Sequence, residues 1–332
     1  MWFRQVSKDS DVVVSSRVRF ARNLEGYKFP HMNNSKESEE IILKIEEAIK
    51  NLEGYKLFKM KDIDRITTYS LVEQHLISKE FIEGLTTALV LSEDNSLVMM
   101  INEEDHLRIQ AFESGFNLDL AYSKLCDFTD KLEQNIKFSE NEKYGYLTAS
   151  PNNIGSGMRV SVMLHLPALK KIGILSKIFE QATSIGISVR GIYGENTSSI
   201  GSMYQISNRK TLGVSDEDIL SSVKLVVTTL IEQERKARQL LKKKSLEFED
   251  EIYRAYGIIK NARIISDEEA LRLLSKVRLG VSLDMIKDTT LQKIQSLIID
   301  TQTNTLKSVL KTDFMKEEEN IKRGEYIRKE LK

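Results

Sequence analysis

The sequence predicts an α+β protein, with a mixed α/β domain over residues 1–240 and a small all-α domain over residues 241–332. Three observations lead there. As far as residue 207, apolar runs of strand length bounded by turn-forming residues alternate with helical stripes. A long amphipathic pattern then opens at Ser215 and Asp218 and carries Ile219, Leu220, Val223, Val226, Val227, Leu230 and Ile231. From about residue 245 onward, helix follows helix with no convincing strand.

Composition narrows the function classes. A chain of 332 residues can bury two cores, and 41% hydrophobic with 30% charged residues describes an ordinary globular protein. Lys+Arg and Asp+Glu both number 49, so overall charge points to no nucleic-acid or membrane partner. The single cysteine, Cys126, excludes an intramolecular disulfide and fits a reducing cytoplasm; it lies on an apolar helical pattern and reads as a structural thiol. No apolar run approaches the roughly 20 residues of a membrane span, and residues 1–10 lack the core of a signal peptide. Four histidines and one cysteine argue against a dedicated zinc site.

Taken in order, residues 11–15 read as a short strand that runs into Ser15-Ser16-Arg17-Val18-Arg19. In extended backbone Arg17 and Arg19 share a face. Two guanidiniums so placed suit either a solvated edge strand with salt bridges or a phosphate clamp. Asn34 and Glu37 can cap a helix with the stripe Ile41, Ile42, Ile45, Ala48, Ile49 and Leu52. His75 falls in a helix-like segment, 71–77, where it reads as a packing or surface residue. Residues 88–91 and 97–101 form a β-hairpin around 92–96. It leads into Asn102-Glu103-Glu104-Asp105-His106-Leu107-Arg108, which is either a polar site at a strand end or a solvated charge cluster. Asn117 caps a helix bearing Leu118, Ala121, Tyr122, Leu125, Phe128 and Leu132.

Residues 146–148 read as a strand before a turn-rich loop, Ser150-Pro151-Asn152-Asn153-Ile154-Gly155-Ser156-Gly157. Its glycines let backbone N–H groups approach an anion, although no Gly-Lys-Ser/Thr follows to make a Walker A loop. In the next strand Val160, Val162, Leu164 and Leu166 form one face, and Arg159, Ser161, Met163 and His165 the other. Strand 187–192 leads to a loop carrying Glu195, and 203–207 is a further strand. The run Lys242-Lys243-Lys244 suits the end of the long helix. Ser266 with Glu269 makes a capping box, and Leu291, Ile294, Leu297 and Ile298 mark another helix.

Arg17, Arg19, Arg108, Arg159 and Arg190 thus fall at strand ends, with Glu104 and Glu195 on loops. Five arginines converging on one cleft need a polyanion, and a nucleoside triphosphate is the obvious candidate. At this point the sequence resembles the guanidino (phosphagen) kinases. Ser15-Ser16-Arg17-Val18-Arg19, Asn102 to Arg108, Asn152-Asn153-Ile154-Gly155-Ser156-Gly157-Met158-Arg159 and Arg190-Gly191-Ile192-Tyr193-Gly194-Glu195 match its signature segments in order, over roughly residues 11–240. It is most similar to the bacterial protein-arginine kinase branch. The helical domain that small-guanidine kinases carry before Ser15 is missing, and a helical segment takes the last third of the chain.

The resemblance implies a catalytic domain built on an antiparallel sheet flanked by helices, and an ATP-dependent transfer of phosphoryl to protein arginine. It implies ATP contacts from Ser15, Ser16, Arg17, Val18, Arg19, His75, Arg108, Arg159, Val160, Ser161, Val162, Met163, Arg190, Gly191, Ile192, Tyr193 and Gly194. His75 would meet the adenine, and Mg²⁺ would be held through the ATP phosphates. Glu104 would be the base and Glu195 the carboxylate aligning the acceptor, while Glu103 and Asp105 support the site. Implied partners are protein substrates presenting arginine (a heat-shock repressor among them), an activating adaptor, an AAA+ Clp protease and a second copy of the chain; neither nucleic acid nor membrane is expected.

Two departures stand out. The family has a cysteine where this chain has Ser150, a change expected to alter rate, salt response or oxidation sensitivity. The Arg-Asp-x-x-Arg-Ala phosphoarginine-sensing motif of protein-arginine kinases is reduced to Glu319, Asn320, Arg323 and Gly324, so weak or absent sensing is expected. The rival readings are a nucleotide-binding adaptor without catalysis and a kinase for free arginine.

Overall fold

The computed structural model describes residues 4–191 and 199–332. Its elements are β1 (Val13–Arg22), α1 (Ser35–Ile49), β2 (Tyr55–Lys59), α2 (Arg65–Glu73), β3 (Ala88–Ser92), β4 (Leu97–Ile101), β5 (Leu107–Ser114) and α3 (Leu118–Glu133). A short ribbon, β6 (Glu140–Asn141) with β7 (Gly145–Tyr146), precedes β8 (Met158–His165), α4 (Pro167–Lys171), α5 (Leu175–Ser184), β9 (Ile187–Gly191), β10 (Met203–Asn208) and α6 (Asp216–Lys244). Helices α7 (Leu246–Asn261), α8 (Asp267–Ser282), α9 (Leu291–Asp300), α10 (Thr303–Leu310) and α11 (Glu319–Glu330) complete the chain.

Eight strands form one sheet in the order β2-β3-β4-β5-β1-β8-β10-β9, and every neighbouring pair is antiparallel. The period of two decides what each face does. Val18 and Phe20 of β1, Ile109 and Ala111 of β5, Val160 and Val162 of β8, and Ile206 of β10 join the main apolar core with α1, α3 and α6. The opposite face carries the arginines and is covered only in part. Leu89, Val98, Met100 and Phe112 pack there against Leu71, Leu76 and Ile77 around the end of α2. Val14 and Met203 pack against α7, α8 and α9. The polar stretch between these two covers is the cleft.

Helix starts follow the capping chemistry. Asn34 and Glu37 form a reciprocal capping box on α1. Ser215 and Ser266 accept the N–H groups of Asp218 and Glu269 at the heads of α6 and α8. Asn117 behaves differently, because its amide donates to Ser7 Oγ and to the Ser114 carbonyl instead of capping α3.

Two strands of the eight-stranded sheet were not expected, nor was the short β6. β2 and β5 mix charged with apolar residues, and the cluster 102–106 is therefore the turn of a β4–β5 hairpin and not the end of the sheet. Helix α6 runs through the expected boundary at residue 240 to Lys244. Below it, Arg238 donates to Glu234 (2.8 Å), whose carboxylate also accepts the Ala168 and Leu169 N–H groups at the head of α4. Arg278 of α8 reaches the Ser10 and Asp11 carbonyls and His165 Nδ1, tying the helices to β8 and the start of the chain.

Candidate active site

The register brings the arginines together. Arg19 lies opposite Arg159 of β8 and Gln110 of β5; Arg108 lies opposite Ala21 and Met100; Arg17 lies opposite Phe112 and Ser161; Arg190 lies opposite Gln205. All five therefore share one face of β5, β1, β8, β10 and β9, together with Ser15, Ser161, Met163, Gln205 and Ser207. Arg108 pairs with Glu103 (2.6 Å). Arg17 donates to Gln205 Oε1 (3.3 Å) and lies 5.8 Å from the centre of the Phe112 ring. Arg159 donates to Ser207 Oγ (3.4 Å).

Among the described residues no carboxylate stands within ion-pair distance of Arg17, Arg19, Arg159 or Arg190. Burial, then Arg108 and Arg159, push Arg17 down to about 9. Burial and the neighbouring guanidiniums hold Arg19 well below the usual arginine range, and Arg159 is lowered in the same way, by burial first and then by the charges of Arg190 and Arg108. A set of like charges this close is stabilised by a multiply charged anion. A small cavity of ≈ 50 Å³ on this face is lined by Ser15, Arg17, His75, Phe112, Ser161, Met163 and Gln205. His75 is not in a helix: α2 ends at Glu73, and His75 takes a left-handed φ of 59°. Burial, then Arg17, push its pKa down to about 4, so the ring is neutral.

The β4–β5 turn sorts its three acids. Asn102 adopts φ 62° and its N–H closes the turn on the His106 carbonyl (2.9 Å). Asp105 is buried, accepts from Asn23 Nδ2 (2.6 Å) and Ala149 N (2.7 Å), and has its pKa raised by burial. His106 donates its N–H to Asn23 Oδ1 (2.9 Å) and accepts the Leu24 N–H at Nδ1 (3.0 Å); burial pushes its pKa to about 4. Glu103 accepts from Arg108 and Ser78 Oγ. Burial alone would raise its pKa, but the Arg108 charge and these hydrogen bonds hold it below the carboxylate range. Only Glu104 faces solvent, 3.5 Å from Asn153 Nδ2.

Asn153 is delivered by the glycine loop. At Gly155 (φ 106°) a Cβ would run into the Thr211 carbonyl, and at Gly157 (φ 62°) it would lie 2.7 Å from the Ala21 carbonyl. Thr211 Oγ1 shares its one proton between the Ile154 (2.8 Å) and Asn152 (3.1 Å) carbonyls, and Ser156 N–H donates back to the Thr211 carbonyl. Within the loop, Thr148 Oγ1 and the Asn153 N–H both donate to the Ser150 carbonyl. Arg22 buttresses the loop, stacked 3.5 Å from the Tyr146 ring centre and donating to the Ser156 carbonyl.

Some expectations need correction. Ser16, Val18, Val160 and Val162 are not on the arginine face. Their strand parity turns the valines into the core and directs Ser16 Oγ to the Gly115 carbonyl, so only their backbone is left to meet a nucleotide. Ile192, Tyr193, Gly194 and Glu195 lie outside the described residues, while Gly191 ends β9 opposite Tyr204. Gln205 and Ser207 were missed although alternation along 203–207 puts them on one face. Asn23 and Ser78 act through contacts remote in sequence and left no signal, whereas Asn153 lay within a matched segment without a role of its own.

Away from the cleft, Arg323 is fully buried. It donates to the Thr301 (2.8 Å) and Ile265 (3.0 Å) carbonyls, Asn320 Oδ1 (2.7 Å) and Thr303 Oγ1 (3.0 Å). Glu319 accepts from Thr303 Oγ1 (3.5 Å), and a Cβ on Gly324 would lie 2.7 Å from the Arg263 carbonyl.

A family model described as the C-terminal catalytic domain of ATP:guanido phosphotransferases matches residues 37–237. A second, the protein-arginine kinase McsB C-terminal domain, matches residues 245–332. The protein-arginine kinase of Clostridium acetobutylicum is 42% identical over 337 residues, covering 100% of this chain and 99% of that protein. That of a Geobacillus species is 40% identical, covering 100% and 93%. Lombricine kinase shares the fold, with a TM-score of 0.62 at 22% identity over 74% of this chain and 71% of its own. A duplicated taurocyamine kinase from Schistosoma mansoni gives a TM-score of 0.63 at 27% identity, covering 79% of this chain and 38% of its own.

Proposed function

We propose that this chain, which belongs to the protein-arginine kinases of the ATP:guanido phosphotransferase family, transfers the γ-phosphoryl group of ATP to arginine side chains of proteins. The observation that carries this is the set of five arginines on one sheet face beside a solvent-facing Glu104. Arg17, Arg19, Arg108, Arg159 and Arg190 bind the phosphates and neutralise the phosphoryl group in flight, so that catalysis is positioning and electrostatics. Neutral His75, beside Ser15, Ser161 and Met163, meets the adenine end.

The acceptor guanidinium has a pKa above ~12 and no free lone pair at neutral pH. Glu104 takes an N–H proton as the N–P bond forms and the P–O bond to ADP breaks. Glu195 aligns the acceptor by fork-to-fork hydrogen bonds. Glu103 holds Arg108, and Asp105 holds the loop that presents Asn153. A divalent ion, Mg²⁺ in this reading, supplies charge neutralisation on the phosphates. The donor set of the cleft is guanidinium-rich, and Glu103 is already engaged by Arg108 and Ser78, so the phosphates themselves would be the main ligands.

The same reading takes residues 1–240 as the catalytic unit and 241–332 as a helical unit through which a homodimer forms in the cytoplasm. An activating adaptor, an AAA+ Clp protease and a heat-shock repressor are its proposed partners. Among the described residues no helix is long and apolar enough to cross a membrane. Sensing of phosphoarginine at the C-terminal helices is weak, because Arg323 is spent on internal carbonyls. ADP release measured with a protein acceptor, with free arginine and with neither tests the reading. Release that depends on the protein acceptor supports it. Release with free arginine alone favours a small-guanidine kinase, and nucleotide binding without release favours an adaptor.

A further inference from the structure

A pocket of ≈ 530 Å³ has Glu104 at one edge and continues to Glu83, Thr87 and Asn102, side chains to which the chemistry above gives no part. Its wall includes Glu83, Glu103, Glu104, Thr87 and Asn102, and no lysine or arginine among the described residues; His31 is its only other titratable side chain. Two of these residues carry a polar atom without a partner. Thr87 is 6% exposed and Asn102 is 8% exposed, and neither Thr87 Oγ1 nor Asn102 Oδ1 has a hydrogen-bond partner. The orientation of the Asn102 amide is fixed, because its nitrogen donates to both the Ser38 carbonyl (2.9 Å) and the Thr86 carbonyl (3.2 Å). The oxygen is therefore an acceptor that no side-chain flip can turn into a donor. Glu103 is occupied by Arg108 and Ser78, which leaves Glu83, the exposed last residue of the short helix Glu80–Glu83, as the carboxylate for a new partner. Buried polar groups normally find partners, and the Asn102 oxygen, the Glu83 carboxylate and the lone pairs of the Thr87 hydroxyl are together satisfied by a group made of N–H donors.

We propose that this pocket takes a second cationic side chain of the protein substrate, a lysine ammonium or arginine guanidinium close to the acceptor arginine, with Glu83 as the specificity-determining carboxylate. The inference rests on the reading of the chain as a protein-arginine kinase and adds to it a sequence context. Acceptor arginines with a basic neighbour at the right spacing are preferred over isolated ones. Glu83 touches neither ATP nor the reacting nitrogen, so its loss changes the choice between substrates and leaves transfer to a neutral-context acceptor intact.

The test uses the full-length protein, Mg·ATP and peptides with one acceptor arginine, in which a single lysine is moved from three residues before the acceptor to three after it. An otherwise identical peptide without lysine is the reference. We expect at least one lysine position to raise kcat/KM by about tenfold, chiefly through KM, and Glu83→Gln to shrink that ratio to below about twofold while the lysine-free peptide reacts as before. Thr87→Val, which keeps the shape of the side chain, should reduce the preference partially. Equal kcat/KM at every lysine position, or a preference undiminished in Glu83→Gln, overturns the inference and leaves the proposed activity standing. Failure to form phosphoarginine on any peptide or protein acceptor overturns the proposed activity and the inference with it.

Discussion

Glu104 faces solvent because its neighbours do not. Glu103 is held by Arg108 and Ser78, and Asp105 by Asn23 and the Ala149 N–H, so one carboxylate of the three is left to meet an incoming guanidinium. The arginines are specific in a similar way. Arg159 stands opposite Arg19 across the β1–β8 ladder, where a planar fork can serve two phosphate oxygens at once. Arg159→Lys keeps the charge and loses the fork, so we expect kcat to fall by roughly 10²-fold with Tm nearly unchanged, read by steady-state kinetics beside thermal melting. Alternation made Arg17 and Arg19 legible as a pair in the sequence. The same period of two rules out the side chains of Val18, Val160 and Val162, which a contiguous motif match had swept into the nucleotide set. Asn23 and Ser78 could not be read, since each matters only once remote strands have met.

At the level of elements, the glycine loop and the β4–β5 hairpin have to agree in position for Asn153 to reach Glu104. Gly157 is where that agreement is most exposed, with its positive φ and the Ala21 carbonyl close by. Gly157→Ala should cost about 1–3 kcal/mol in denaturant unfolding and lower kcat through a displaced Asn153, with ATP affinity less affected. The helices were readable because their caps are local: Asn34, Ser215 and Ser266 each accept an N–H three residues on. The hairpin of β3 and β4 was readable from its uniform apolar runs. β5 was not, because its cleft face shows Arg108 and Gln110 where a strand buried on both sides would show aliphatic residues. His75 was read as helical for a comparable reason: nothing in residues 71–77 announces the left-handed residue that ends the helix.

Across the whole molecule, separate segments are held together by buried polar groups. Glu73, at the end of α2, accepts the N–H groups of Asn304 and Thr305 at the head of α10, and Arg323 ties α11 to the α8 and α9 ends. Three histidines are kept neutral by burial: His75 and His106 with pKa values near 4, and His165 well below its ordinary value beside Arg278 and Arg238. Their folded pKa values lie below the unfolded value of 6.5. Between those limits the unfolded chain binds more protons than the native one, so stability is fully present above pH 6.5 and is lost as pH falls toward 4. For fully buried His106 the loss is on the order of 3 kcal/mol. Chemical denaturation at pH 7 and pH 4.5 should show this drop, and His106→Gln should remove its share, leaving the part due to His75 and His165.

The most direct measurement incubates the protein with Mg·ATP and an arginine-rich protein, then detects phosphoarginine by mass spectrometry under conditions that preserve the acid-labile N–P bond. Glu104→Gln runs beside it with its ATP affinity determined. We expect phosphoarginine from the unmodified chain and a loss of at least about 10²-fold in the variant, with ATP bound as tightly. Undiminished phosphoarginine from the variant would contradict Glu104 as the base, and none from the unmodified chain would contradict phosphoryl transfer to protein arginine.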